Sequence, residues 1–331
     1  MHADDRGVEL PERFTDPRRE YAALTAGCAA VDLGFRTLVR ASGPDRASFL
    51  QGMLTCDVAT LAPGRLAQGL LLTIQGRVTA DVRVLATADV LLLDVDVRAR
   101  VAMLEALEKL LVADDVELGD PSPAHTAIGV EGPAAAAVLA ALGLEAVPPG
   151  EHAETRVAGV VARALDASEV RGPGRVLHVA ADGAAAVWDA LVAAGAEPCG
   201  MQAVEARRIE VGVPRIGVDM DGSTLAIELP VEDLISATKG CYLGQEVVAR
   251  GTARGQVQRR LVGVRFDGGV PARGASLRHA GKDVGRVTSV ARARAADEPI
   301  GLALVRREHW APGSELEIDA GRACVAPFPL A

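Results

Sequence analysis

Two stretches decide the fold: Thr37-Leu-Val-Arg-Ala-Ser-Gly-Pro-Asp-Arg-Ala-Ser-Phe-Leu50 and Thr126-Ala-Ile-Gly-Val-Glu-Gly-Pro-Ala-Ala-Ala-Ala-Val-Leu139. They share one pattern, and an internal repeat constrains a chain before any single motif does. Alternation at Leu38, Arg40 and Ser42 suits a strand end, and Pro44 and Pro133 stand where a first helical turn tolerates a missing N–H. Each stretch therefore reads as strand, Gly-Pro turn, helix. The likeness continues downstream. Leu92-Leu93-Asp94-Val95, then a helix around Met103, Leu104 and Leu107, parallels Val176-Leu177-His178-Val179, then Val187, Trp188 and Leu191. Between these parts lie strands at 70–74 and 78–85 in the first half and at 157–165 in the second. The unit is roughly strand-helix-strand-strand-helix. It predicts an α+β architecture of two ferredoxin-like (split βαβ) pseudo-repeated layers, each burying one sheet face.

Past a helix carrying Met201, Val204, Ala206 and Ile209 the composition changes. Short β-branched or apolar runs follow at 261–266, 276–277, 284–290, 300–304, 316–318 and 324–326, separated by Gly and Pro turns. This spacing predicts a small C-terminal β-barrel or sandwich.

At 331 residues, 49% of them apolar and 24% charged, the chain has room for two or three domains. No apolar run reaches the ~18 residues of a transmembrane helix. The N-terminal charges Asp4, Asp5, Arg6, Glu9, Glu12 and Arg13 do not suit the apolar segment of a secretory signal. A soluble cytoplasmic monomer with no membrane partner is expected. The net charge of -9 argues against binding nucleic acid through an overall positive field. The five cysteines are far apart with no Cys-x-x-Cys, which favours neither a zinc site nor a disulfide framework, and no metal is expected. GxxxxGK[ST], HExxH and GxSxG are all absent, so triphosphate, zinc-protease and serine-hydrolase readings lose their main support.

Chemistry concentrates in Lys239-Gly-Cys-Tyr-Leu-Gly-Gln-Glu-Val-Val-Ala-Arg250. It gathers one of three lysines, one of five cysteines and one of two tyrosines into four positions. In an extended stretch Lys239 and Cys241 share a face, and an ammonium beside a thiol favours the reactive thiolate. Gly244 permits a turn, after which Gln245, Glu246 and Val247 open a helix. The alternative is that Cys241 is a small buried hydrophobe, and spacing alone does not separate the two.

The run KGCYLGQE resembles the signature of the YgfZ proteins, folate-binding relatives of the aminomethyltransferase (T-protein, GcvT) of the glycine cleavage system. Arg208-Ile-Glu-Val-Gly-Val-Pro214 is similar to that family's Arg-hydrophobic-Glu-x-Gly segment, and Leu50-Gln-Gly-Met-Leu-Thr-Cys-Asp57 to its first-helix motif. Gly76-Arg77 followed by Ala80-Asp81 falls where the family has a glycine turn before an acidic strand.

The resemblance implies a GcvT-like fold of three domains around a central folate cavity. Residues 1–122 with 200–255 would form a discontinuous first folate-binding domain, 123–199 the second, and 256–331 the barrel. It implies tetrahydrofolate, or a one-carbon derivative, as cofactor. Glu210 would grip the pterin and Asp81 line the site. Tyr242 would offer a face for stacking, Gln245 would join the cofactor residues, and Arg250 or Arg254 would meet the glutamate tail. Cys241 would be the working thiolate, Lys239 its electrostatic partner and Asp81 a catalytic carboxylate.

Two departures from the T-protein pattern bear on activity. Ala80 stands beside Asp81 where those enzymes have an acidic pair, and Cys241-Tyr242 stands where they have an Asp-Phe type motif. The resemblance thus implies a tetrahydrofolate-dependent accessory protein for iron-sulfur enzymes, acting with them or their assembly machinery and through them on tRNA modification. The alternative in one-carbon metabolism is a folate-dependent aminomethyltransferase. A tRNA-binding module using Arg250, Arg254, Arg259 and Arg260 is a third reading, against which the acidic net charge weighs.

Overall fold

The computed structural model describes residues 2–4, 8–119, 125–254, 257–293, 297–319 and 321–330, without the side chains of 2–4 and 252–254. The first part of the chain forms β1 (His2–Asp4), β2 (Glu9–Pro11), α1 (Pro17–Ala26), β3 (Ala29–Asp32), β4 (Arg36–Ser42), α2 (Arg46–Met53), β5 (Leu66–Leu72), β6 (Val78–Ala86), β7 (Leu91–Asp96), α3 (Val97–Glu108) and β8 (Glu117–Gly119). The second half-repeat supplies β9 (His125–Glu131), α4 (Ala135–Ala141), β10 (His152–Val157), β11 (Val160–Leu165), β12 (Gly174–Ala180), α5 (Ala184–Ala193) and β13 (Glu197–Cys199). There follow α6 (Met201–Glu210), α7 (Gln245–Arg254) and the strands β14 (Arg259–Gly268), β15 (Ser276–His279), β16 (Lys282–Arg292), β17 (Pro299–Arg306), β18 (Glu315–Ile318) and β19 (Gly321–Ala326). Among the described residues no helix is long and apolar enough to cross a membrane.

The repeat is realised as β4–α2–β5–β6–β7–α3 and β9–α4–β10–β11–β12–α5. Both Gly-Pro turns work alike: Gly43 and Gly132 take φ of 97° and 113°, a region open to glycine. The chain departs from the expected unit at 157–165, which is not one strand but part of the hairpin β10–β11, turning at Ala158-Gly159. β3 also leaves its own half and pairs with β9 of the other.

Two compact units result, one of Met1–Thr73, Thr79–Ala203 and Asp233–Leu243, the other of Ile74–Val78, Val204–Glu232 and Gly244–Ala331. The first holds a five-stranded sheet, β5-β6-β7-β4-β8, and a six-stranded sheet, β10-β11-β12-β9-β3-β13. Residues opposite one another in antiparallel strands share a face. One face of the five-stranded sheet therefore carries Val82, Val84, Leu93, Val95, Val39 and Thr37, all buried. The other carries charge, with Arg83 opposite Asp94 and Arg36 opposite Asp96. In the six-stranded sheet Ala30, Ile128, Val130, Ala162, Ala164, Leu177 and Val179 pack with Val138 and Leu139 of α4 and Val187 and Leu191 of α5. Its opposite face carries Arg163, His178 and Ala127. There His178 Nε2 lies 3.4 Å from Asp94 Oδ1 of the other sheet.

The second unit holds a closed barrel, β14-β17-β16-β15-β18-β19, so all six expected runs are strands. Closure leaves no free edge. Its core includes Val264, Phe266, Leu277, Val287, Val305, Leu316 and Val325. Within this unit Arg208 of α6 donates to Asp219 (2.6 Å), Glu205 (2.5 Å) and Ser289 Oγ of β16 (2.8 Å). Gly212 takes φ of 76°, and a Cβ there would fall 2.7 Å from the Phe328 ring. Only glycine fits this close approach.

Candidate functional site

Two motifs that are far apart in sequence meet in the first unit. Residues 239–243 lie across the C-terminal end of α2, where Leu243 N–H donates to the Gly52 carbonyl at 2.9 Å. The Lys239 ammonium donates to the carbonyls of Gln51 (2.6 Å), Leu54 (2.6 Å) and Cys56 (2.9 Å). Carbonyls at a helix C-terminus lack intrahelical donors and carry the negative end of the dipole, so a cation belongs there. Thr55 fixes the same turn, donating to the Leu234 carbonyl at 2.6 Å and accepting from Leu70 N–H at 2.7 Å.

This geometry gives Lys239 a structural task besides the one expected of it. An ammonium has three protons, and all three go to backbone carbonyls, so none is directed to Cys241. Lys239 also acts on the thiol of Cys56, which is buried. Burial outweighs the lysine there and pushes the Cys56 thiol up to about 11, which keeps it protonated and inert. Cys241 is a free, exposed cysteine, so the buried-hydrophobe reading does not apply. Tyr242 is buried at 8% exposure, and the Lys239 ammonium sits 5.4 Å from its ring centroid, covering one face.

Asp81 lies on the charged face of β6, where Arg36 donates to it at 3.3 Å. Ala80 is fully buried beside Val78 and Val82, whose side chains point the opposite way from Asp81. Adjacent carboxylates on a strand would necessarily diverge, and the one retained is the one facing the polar side.

That polar side holds a network that no sequence motif marks. Arg36 donates to Asp94 Oδ1 at 2.9 Å, and Arg83 donates to Asp94 Oδ2 at 3.0 Å and to Glu169 at 2.7 Å. Burial alone would raise the Asp94 pKa, but Arg36, His178 and Arg83 together hold it well below the usual carboxylate range. Glu131 shows the opposite balance. Burial pushes it up to about 7, against hydrogen bonds from Ser168 Oγ (2.7 Å) and Glu169 N–H (2.8 Å). The available signal was a charge at alternate positions of otherwise apolar strands, as in Leu91-Leu-Leu-Asp-Val-Asp96.

The remaining expected residues fall in the second unit. Glu210 ends α6 fully buried, its Oε2 accepting from Arg207 at 3.3 Å. A buried carboxylate suits the paired N–H donors of a pterin. Gln245 opens α7, and Arg250 on the same helix is bonded to Glu246, both exposed. Arg254 closes α7, but its side chain lies outside the described residues. Arg259 clasps Glu228 at 2.7 and 3.1 Å and Arg260 bonds Glu232 at 2.5 Å, which neutralises much of the arginine cluster. Among the described residues no group of three or more His, Cys, Asp or Glu is placed to hold a metal.

The fold and these segments define a GcvT-like protein, a two-sheet α+β part followed by a closed barrel. The chain belongs to the glycine cleavage T-protein family: residues 2–239 match the GCVT N-terminal domain and 259–328 the glycine cleavage T-protein C-terminal barrel domain. It is 31% identical over 338 residues to an aminomethyltransferase of Geobacillus kaustophilus, spanning 98% of this chain and 93% of that protein. It is 27% identical over 312 residues to a putative chloroplastic transferase of Arabidopsis thaliana, spanning 93% and 72%. The crystal structure of the glycine cleavage system aminomethyltransferase T from Bartonella henselae shares its fold, with a TM-score of 0.89 at 21% identity over 100% of this chain and 94% of that one.

Proposed function

We propose that the chain is a tetrahydrofolate-binding protein of one-carbon metabolism and that it transfers an aminomethyl group, as the names of its relatives suggest. The observation that supports this is the placement of Asp81 on the polar face of β6 and of Ala80 on the apolar one. Aminomethyl transfer to a folate amine needs one carboxylate to manage the proton, and Asp81 remains for that task. Glu210 would hold the pterin, with Tyr242 and Gln245 as further contacts. The exposed, weakly paired Arg250, or Arg254, would meet the glutamate tail. The division of the chain that accompanies this reading is 1–122 with 200–255, 123–199 and 256–331.

One observation favours a second reading, the YgfZ-like accessory to iron-sulfur enzymes. Cys241, in KGCYLGQE, is an exposed thiol that aminomethyl transfer does not require. Purified wild type, Asp81→Asn and Cys241→Ser separate the two, with circular dichroism confirming that each is folded. Formation of methylenetetrahydrofolate from an aminomethylated carrier, lost in Asp81→Asn and kept in Cys241→Ser, supports the transferase. No turnover by wild type, together with loss of iron-sulfur enzyme activity in cells carrying only Cys241→Ser, supports the accessory role.

A further inference from the structure

The two sheets of the first unit enclose a cleft of about 290 Å³ that none of the residues assigned above lines. Leu38 and Leu92 form one wall and Val161 and Ala180 the other. At this volume it is at the small end of ligand pockets, which combine apolar walls with a few placed polar groups. Arg40, His125, Glu154, Arg163 and His178 are its polar lining, and two of them bear on a ligand.

The first is Arg40. Arg163, the other guanidinium in the cleft, is held by Glu154 at 3.1 Å and by His152 Nδ1 at 3.2 Å. Arg40 also lines the cleft, and its side chain makes no hydrogen bond or ion pair among the described residues.

The second is His178, whose side chain is 1% exposed. Its Nε2 faces Asp94, whose two oxygens already accept from Arg36 and Arg83. Neither ring nitrogen has a hydrogen-bond partner, which is rare for a buried polar atom.

We propose that this cleft is a ligand site, separate from the folate residues, for a small amphiphilic monocarboxylate bearing an N–H donor. The carboxylate pairs with Arg40, the apolar body lies between the Leu38–Leu92 and Val161–Ala180 walls, and the N–H donates to His178 Nδ1. The assignment does not depend on the proposed reaction.

Indole-3-acetate has this chemistry and serves as the probe, titrated calorimetrically into the full-length protein. Saturable one-to-one binding is expected. Arg40→Gln, a surface change, should weaken it about tenfold, the usual effect of losing a charge-assisted bond. Val161→Trp should fill the mouth and abolish it. Indole-3-acetamide and 1-methylindole-3-acetate, which lack the charge and the donor respectively, should each bind more weakly. Saturating tetrahydrofolate should not displace the probe. Absence of saturable binding by wild type, or equal affinity in Arg40→Gln and Val161→Trp, overturns the site. Displacement by tetrahydrofolate overturns its separateness, and equal binding of the N-methyl analogue overturns the role of His178. If tetrahydrofolate itself does not bind, the folate reading fails while the indole-3-acetate titration is unaffected.

Discussion

Replacing Lys239 by methionine separates a structural lysine from a thiol-activating one. The change keeps most of the side-chain length and removes the ammonium, leaving the carbonyls of Gln51, Leu54 and Cys56 without their shared donor. A hydrogen bond to a charged group contributes about 1.5–3 kcal/mol. Lys239 is half-buried, so water recovers part of three such bonds, and the expected loss is about 2–4 kcal/mol. Urea unfolding reads this directly, and a fall in Tm of roughly 5–15 °C should accompany it. Alkylation of Cys241 by iodoacetamide on the folded protein should keep its rate, because the lysine's protons are committed elsewhere. Cys56 should stay unreactive until the chain unfolds. Stability unchanged within about 0.5 kcal/mol, together with alkylation of Cys241 slowed about tenfold, would refute this and restore the lysine–thiolate pair.

Other expectations concern buried charge. Glu131 has a folded pKa of about 7, raised by burial above an ordinary value near 4.5. Between these values the native state holds a proton that the unfolded chain has lost, so stability should fall as pH rises from about 4.5 to about 7. The total is about 3 kcal/mol, and Glu131→Gln should flatten that slope in urea titrations at several pH values. Glu205 is the reverse case. Despite the burial that would raise it, Arg208 and Arg215 hold it at about 2, so its contribution, present above the ordinary value, should be lost as pH falls towards 2. Arg208→Met strands the buried Asp219 carboxylate and should cost about 3–5 kcal/mol, measured by the same unfolding assay.

Local punctuation made the repeat and the barrel legible. A Gly-Pro pair at each strand-to-helix junction and Gly or Pro between short β runs mark boundaries whatever the partners are. The β10–β11 hairpin was hidden because its turn, Ala158-Gly159, sits between Val157 and Val160 with no polar marker, and Ala158 takes φ of 50°. The pairing of β3 with β9 joins residues about a hundred positions apart, and alternation within a strand names a face but not a neighbour. Lys239 shows the same limit. Its sequence neighbour Cys241 suggested a pair, whereas its bonding partners lie up to 188 positions away, at the end of α2. The motif around Leu50–Asp57 and the KGCYLGQE run were each visible in sequence, but only the fold shows that one clamps the other. The charged sheet face around Asp94 escaped notice because a lone Asp or Arg in a strand reads as its solvent side until a second sheet is seen to cover it.

Calorimetric titration of tetrahydrofolate into wild type and Glu210→Gln shows whether Glu210 holds the pterin of a reduced folate. Glu210 is fully buried at the end of α6, and glutamine preserves its shape while removing the paired acceptors that a pterin needs. Saturable one-to-one binding by wild type is expected, with an affinity lower by about tenfold or more in Glu210→Gln. No binding by wild type, or equal binding by both proteins, would contradict it.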